Sequence, residues 1–126
     1  MSKIVKAVNV MVANPDWIAD VIPAGEERRE FFFLYKEKFK WSIVESSDKK
    51  IYYLHYYPSG LPLLALASME EYEWSDFKEI ISYSTNDLGG REAFQSFKEL
   101  YEVVREKAFG MSSVLDEIIS DDDLPF

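Results

Sequence analysis

Cysteine is absent from this sequence of 126 residues. Disulfide bonds, thiolate nucleophiles and cysteine-based zinc or iron–sulfur sites are therefore excluded together. No apolar run approaches the roughly 18 residues that a membrane span requires. Asn9 interrupts the short apolar stretch after the first lysines, so we expect no secretion leader. These absences predict a protein of the reducing cytoplasm.

Basic residues are scarce in the second part of the chain. The net charge is −9, and residues 51–126 carry only five bases against fifteen acids. Such a field repels nucleic-acid phosphate and anionic membranes, and it speeds the encounter with a basic molecule. We therefore expect a basic protein partner and no membrane, and we disfavour nucleic acid.

Motifs for catalysis, cofactors and metals are also missing. His55 is the only histidine, no G-x-S-x-G elbow presents a serine, and the LGGR stretch lacks the spacing of a phosphate-binding loop. The run 121–123 has three aspartates but not the alternating ligands of a calcium loop. The sequence predicts a non-enzyme with no catalytic residue, no cofactor and no metal site.

Three consecutive segments are rich in aromatic and β-branched residues and alternate with a period of two: residues 30–36, 38–44 and 51–57. Short polar stretches separate them, as turns would, and we interpret an antiparallel meander. The middle segment predicts a strand with one buried face and one solvent-exposed face. Its apolar and polar side chains alternate as Phe39, Trp41 and Ile43 against Lys38, Lys40 and Ser42.

The clearest helix is predicted over residues 91–108. Apolar side chains recur there at spacings of three and four, with charged side chains on the opposite side. Gly110 suits a left-handed C-cap. A further short helix is expected to begin at Ser113, with Asp116 completing a capping box. It is expected to bury four aliphatic side chains: Val114, Leu115, Ile118 and Ile119.

The rest of the chain is harder to interpret. Residues 2–13 fit either an amphipathic helix or a strand. Asn14, Pro15 and Asp16 form an N-cap signal that predicts a short helix ending near Pro23. Further along, we interpret residues 64–67 and 79–84 as strands and the stretch between them as a loop.

These elements predict an α+β fold with one domain over residues 1–120 and an acidic tail over 121–126. A mostly antiparallel sheet of three to five strands is packed on one face by the C-terminal helix, and short helices lie at both ends.

One acidic segment interleaves carboxylates with aromatic rings. Tyrosine and tryptophan give large contact area at low entropic cost, and clustered carboxylates pair with lysine or arginine. We predict that a basic partner contacts Glu70, Glu71, Tyr72, Glu73, Trp74 and Asp76. The same surface would suit a second copy of the chain, so a homo-oligomer stays open.

The third strand gathers tyrosines around His55. This strand has tyrosines on both of its faces. We therefore predict that one face packs under the C-terminal helix and that the tyrosine hydroxyl groups on the other face lie near water. One alternative function follows from a ligand pocket between sheet and helix, lined by Tyr53, His55 and Tyr57. Another is single-stranded nucleic acid binding on Lys38, Lys40 and Tyr56, which the net charge disfavours.

In size, acidity and lack of catalytic motifs, the chain is similar to small acidic immunity proteins and to phage-encoded inhibitors. That resemblance implies a non-catalytic protein that occupies or neutralises a basic partner such as a toxin or a nucleic-acid-binding enzyme. The alternative is a small-molecule or nucleotide-binding module, with or without enzymatic activity, at the pocket around His55.

Overall fold

The computed structural model describes residues 2–25, 29–58, 60–69 and 80–122, with side chains at all of these except 111, 112, 121 and 122. Within them, five strands form one antiparallel sheet in chain order: β1 Ile18–Ala24, β2 Glu30–Tyr35, β3 Phe39–Glu45, β4 Tyr52–Tyr56 and β5 Ile81–Ser84. The helices are α1 Lys3–Ala13, α2 Leu63–Ala67, α3 Thr85–Leu88, α4 Gly90–Ala108 and α5 Met111–Asp122. The predicted α+β class and meander are confirmed.

One face of the sheet, which we call the first face, lies under α1 and α4. Alternation along β2, β3 and β4 directs Phe31, Phe33, Ile43 and Leu54 to this side, where each is fully buried. The helices contribute Val8, Met11, Phe97, Leu100, Tyr101 and Val104. The predicted C-terminal helix is therefore confirmed, and its apolar stripe supplies four of the thirteen buried residues of the main core.

The opposite, second face has a smaller core in which Phe32 and Tyr57 pack against Leu63 and Leu66 of α2. The prediction of a strand at 64–67 is wrong. Leu63 and Leu66 are one helical turn apart and both buried, whereas Leu64 between them is 64% exposed, a spacing that a helix satisfies and a strand does not. Leucine and alanine also favour the helix.

The N-terminal residues resolve one open question and correct one prediction. Residues 3–13 are helical, with Val5, Val8 and Met11 buried. The predicted helix near Pro23 is wrong: Pro15–Trp17 form a single 3-10 turn, and β1 follows at once. Pairing of β1 with β2 outweighs the local cap signal, and a proline is tolerated because β1 is an edge strand.

The C-terminal region agrees with the sequence in part. β5 confirms residues 81–84 of the strand predicted at 79–84, whereas Ile80 is not part of it. The last helix begins at Met111 rather than Ser113, and Asp121 and Asp122, predicted as tail, belong to it. None of the described helices is both long and apolar enough to cross a membrane.

Candidate functional site

The segment predicted to contact a basic partner lies outside the described residues. This applies to Glu70, Glu71, Tyr72, Glu73, Trp74 and Asp76. The residues that flank the segment, Met69 and Ile80, both pack against the small core on the second face.

The last helix, α5, exposes the side chains that were predicted to be buried. Val114 and Leu115 are 43% and 49% exposed, and Ile118 and Ile119 are 61% and 62% exposed. The prediction of burial is wrong because α4 already covers the first face, and Gly110, with a φ of 64°, turns the chain away from that helix. Positions four residues apart share a helix face, so the four side chains form one apolar stripe. We call it the α5 stripe.

Charges of one sign accompany the α5 stripe. The helix sequence contains Asp116, Glu117, Asp121 and Asp122 and no basic residue. Asp116 and Glu117 are exposed and lie between the two aliphatic pairs in the chain. The last turn has acids and no base, which opposes the helix dipole. The helix is therefore both apolar and electronegative at its surface.

A second candidate site lies on the second face, around the only histidine. Tyr53, His55 and Tyr57 share this face, and His55 and Tyr57 line one pocket there, whereas Tyr53 does not line it. The helix α4 packs on the opposite side of the sheet. His55 Nδ1 shares a 2.7 Å hydrogen bond with Ser82 Oγ, and its ring lies parallel to that of Tyr53. Burial lowers the pKa of His55, so the imidazole is neutral at pH 7.

Beside His55, a chain of hydrogen bonds links β2, β3 and the residue that follows β4. Ser42 Oγ donates to Glu30 Oε2 at 2.8 Å, and because its one proton is used there, Tyr57 Oη donates to Ser42 Oγ at 2.8 Å. Ser42 is fully buried and Tyr57 is 2% exposed, so the predicted wet face and solvent-facing phenols are wrong at these two residues. Burial raises the pKa of Glu30, and the bond from Ser42 opposes the rise.

These groups line a pocket of about 320 Å³ formed by Glu30, His55, Tyr57, Ile80 and Ser82. It offers one carboxyl, one neutral imidazole and hydroxyl groups, a set that can bind an amine or guanidinium but opposes the phosphates of a nucleotide. Among the described residues, no three histidine, aspartate or glutamate side chains gather as a metal site.

The three residues predicted to bind single-stranded nucleic acid do not share a face. Tyr56 packs on the first face, with its ring 4.9 Å from that of Trp41. Lys40 lies on the second face, where its Nζ donates to the Leu61 carbonyl at 2.8 Å. Lys38 is at the β2–β3 turn, over the Phe39 ring. A strand of nucleic acid stacked on Tyr56 would therefore not reach Lys40.

Sequence reasoning missed Glu30, Ser42 and Ser82. Ser42 alternates with the apolar residues of β3, as Lys40 does, which is a signal for a polar face. Glu30 gives no such signal, because its neighbours on the same side of β2, Phe32 and Leu34, are apolar. Neither pattern shows that the register of β2 with β3 brings the two residues within hydrogen-bond distance.

No protein-family model, curated protein or solved structure matches the chain. The functional argument therefore rests on the chemistry of the two surfaces.

Proposed function

We propose that the protein is a non-catalytic binding protein that occupies or neutralises a basic protein partner, with α5 as a contact element. The observation that supports this most is the α5 stripe, four aliphatic side chains that are between 43% and 62% exposed on a helix with no basic residue. A helix of this kind fits a partner with an apolar groove and a basic rim. The predicted cytoplasmic location belongs to the same proposal.

Apolar contact and charge have separate roles in this proposal. Covering the α5 stripe removes aliphatic surface from water, which stabilises a complex. Lysine or arginine at the rim of the groove would pair with Asp116 and Glu117, which are both exposed. The acidic segment 70–76 is a further proposed contact, argued from its sequence alone.

Charge favours a basic partner over a second copy of the chain. Two copies carry −9 each, and stripes brought together would place acids of α5 against acids of α5. Like charges across an interface are costly, so the apolar surface alone does not favour self-association. The surfaces with which proteins contact nucleic-acid phosphates carry lysine and arginine, and an acidic protein on such a surface would compete with phosphate.

The test is capture from native lysate with the tagged protein at low and high salt. Wild type is expected to retain one basic protein in stoichiometric amount at low salt and less at high salt. The variant with Val114, Leu115, Ile118 and Ile119 all changed to serine is expected to lose that protein.

Ser113→Ala is the matched control, since this residue is exposed on the same helix and is not part of the α5 stripe. Capture that survives the fourfold serine change contradicts α5 as the contact element, and retention of acidic proteins contradicts the choice of partner. A dimer on size-exclusion chromatography that the serine variant abolishes would show that a second copy covers the α5 stripe.

A second candidate function is the binding of a small amine or guanidinium at the second face. It is supported by the pocket that brings Glu30, His55 and Tyr57 together. A cation there would compensate the buried Glu30 carboxylate, and the rings of His55 and Tyr57 would contact its flat face.

Methylguanidinium is a suitable probe because the single histidine gives unambiguous NMR signals. Titration is expected to shift the His55 signals in wild type and to leave the signals of Glu30→Gln unchanged. His55→Ala is expected to weaken binding without lowering Tm. The reverse result would assign His55 a structural role only. In that case His55→Ala would lower Tm, and the probe would shift no His55 signal in wild type.

A further inference from the structure

A pocket of about 650 Å³ lies on the second face beside α2, and it has about twice the volume of the pocket around His55. Residues of β1, β2 and β3 line it together with residues 60–64, which lead into α2. Five aliphatic side chains make much of this lining apolar: Ile22, Leu34, Leu61, Leu63 and Leu64.

Two opposite charges line this pocket on either side of an apolar side chain. Leu34 of β2 is the cross-strand partner of Ala19 on β1 and of Lys40 on β3. Asp20 follows Ala19, so Asp20 and Lys40 belong to the two strands that flank Leu34. Strands two places apart in a sheet are separated by roughly 10 Å. This separation leaves room between the two charges for a molecule that carries both signs.

Local structure fixes both charged residues at the pocket. The register of β1 with β2 shifts between Ala19 and Ile22, and Asp20 has a φ of 55° in this bulge. Bulges re-aim side chains, and aspartate adopts the left-handed region more readily than most residues. Lys40 Nζ donates to the Leu61 carbonyl at 2.8 Å, which ties β3 to the loop that lines the pocket. An ammonium group has three donors, so it can donate to a ligand as well as to this carbonyl.

We propose that this pocket binds a free amino acid with a large apolar side chain, with the ligand ammonium at Asp20, its carboxylate at Lys40 and its side chain on Leu34. Both ligand charges would then make charge-assisted hydrogen bonds. The charges of the four charged lining residues, Asp20, Glu37, Lys38 and Lys40, sum to zero, so the pocket as a whole favours neither an anion nor a cation. An apolar pocket of this size with a few polar groups is typical of small-molecule sites.

The proposal goes beyond partner binding through α5 and does not depend on it. Its probes are phenylalanine, phenylethylamine and phenylpropionate, which share one apolar body and carry both charges, only the ammonium or only the carboxylate. Binding is measured as shifts of backbone amide signals in ¹⁵N spectra at about 0.15 M salt, where long-range attraction is screened.

Phenylalanine is expected to shift the signals of Leu34 and Lys40 in wild type. It is expected to bind about two- to fivefold more tightly than either of the other probes, the range that one exposed ion pair gives. The net charge of −9 alone would instead make phenylethylamine the tightest of the three.

Variants of the two charged residues assign each charge of the ligand. Asp20→Asn keeps a residue that tolerates the left-handed backbone, and it is expected to weaken phenylalanine and phenylethylamine but not phenylpropionate. Asp16→Asn is the matched control, since Asp16 is exposed just before β1 and does not line the pocket. Lys40→Met keeps the aliphatic stem and is expected to weaken phenylalanine and phenylpropionate.

Phenylethylamine binding as tightly as phenylalanine would overturn the proposal, because the pocket would then recognise positive charge alone. So would full phenylalanine affinity in Asp20→Asn, or shifts with phenylalanine that are confined to residues outside the pocket. If Lys40→Met moves residues 60–64 and weakens all three probes, the conservative Asp20→Asn still decides the question.

Discussion

Two residues at the tip of the β2–β3 hairpin adopt backbone angles that glycine tolerates best. Lys36 and Glu37 have φ values of 54° and 61°, and the Lys38 amide donates to the Tyr35 carbonyl, which together make a type I′ turn. The Lys36 ammonium lies 4.4 Å from the centre of the Trp17 ring, which explains a lysine there. None of the described contacts explains Glu37.

Glu37→Gly is therefore expected to stabilise the protein by about 0.5 to 1 kcal/mol, because relief of the left-handed strain exceeds the extra entropy of glycine in the unfolded chain. Thermal unfolding should show a rise in Tm of about 2 to 4 °C. Lys38→Gly is the control, since Lys38 has no positive φ and glycine there should lower Tm. A lower Tm for Glu37→Gly would show that its side chain makes a contact worth more than the strain.

Glu30 predicts a pH dependence of stability. Burial raises the pKa of its carboxyl above the ordinary value of 4.5, so the folded state holds this proton more tightly than the unfolded state. The contribution of Glu30 to the free energy of unfolding is therefore full below that ordinary value, and it is lost as the pH rises through the pKa of the folded state. Glu30→Gln removes the dependence, and the Tm of the variant minus that of wild type should increase between pH 4 and pH 7.

Thermal melts of both proteins across this range measure the difference. Glu99→Gln, at an exposed position of α4, controls for the loss of one negative charge and should show no comparable increase. A difference that is flat or falls with pH would mean that the hydrogen bond from Ser42 outweighs burial at Glu30.

At the scale of whole elements, α4 and α5 are both amphipathic but differ in what they stabilise. Leu100 of α4 is fully buried, so Leu100→Ala should cost about 2 to 5 kcal/mol of unfolding free energy. Ile118→Ser and Ile119→Ser on α5 each remove an aliphatic side chain that is more than half exposed, and each should change stability by no more than about 0.5 kcal/mol. Chemical denaturation of the single variants measures all three values.

The same stability measurements show whether a loss of partner binding by the α5 variants reflects a lost contact or a destabilised fold. If the α5 variants lose partner binding while their denaturation midpoints stay at the wild-type value, the loss reflects a contact. A large destabilisation by Ile118→Ser would instead mean that α5 packs on the fold and that its aliphatic side chains are not a docking surface.

The elements that the sequence predicted correctly are those whose pattern repeats. The stripe of α4 extends over several turns, and the alternation in β3 and β4 extends over seven and five residues. β2 is a six-residue run with four aromatic side chains. The wrong predictions concern β1 and α2, which are short segments. Their local sequence signals compete with strand pairing at β1 and with packing on the small core at α2. The burial of α5 was mispredicted because periodicity shows that a helix has an apolar face but not what covers it.

The candidate sites divide in the same way. Alternation places Tyr53, His55 and Tyr57 on one side from the sequence alone. The bond from Ser42 to Glu30 joins neighbouring strands, so it depends on the register of β2 with β3.

At the scale of the whole molecule, the net charge of −9 is expected to guide a basic partner over long distances only at low salt. The Debye length is about 8 Å at physiological ionic strength. Glu99 lies nine residues before the end of α4, or about 14 Å at the helical rise. Its charge should therefore be screened from an interface on α5, whereas Asp116 and Glu117 lie within that helix.

Reversing charges on the two helices should then separate local from global electrostatics. The double variants Asp116→Lys with Glu117→Lys and Glu92→Lys with Glu99→Lys both have a net charge of −5, because each change adds two charges. Association with the captured partner is measured by stopped flow. At about 0.15 M salt the α5 pair should associate more slowly than wild type, and the α4 pair nearly as fast as wild type. At low salt both double variants should associate more slowly than wild type.

A third variant tests the acidic segment. Changing Glu70, Glu71 and Glu73 to lysine should slow association and flatten its salt dependence if this segment contacts the partner. Slowing by this variant and not by the α5 pair would place the contact on the segment and remove α5 from the proposal. Equal slowing by the α5 and α4 pairs at physiological salt would mean that the acidity acts only through the total charge, and a specific acidic interface would then be contradicted.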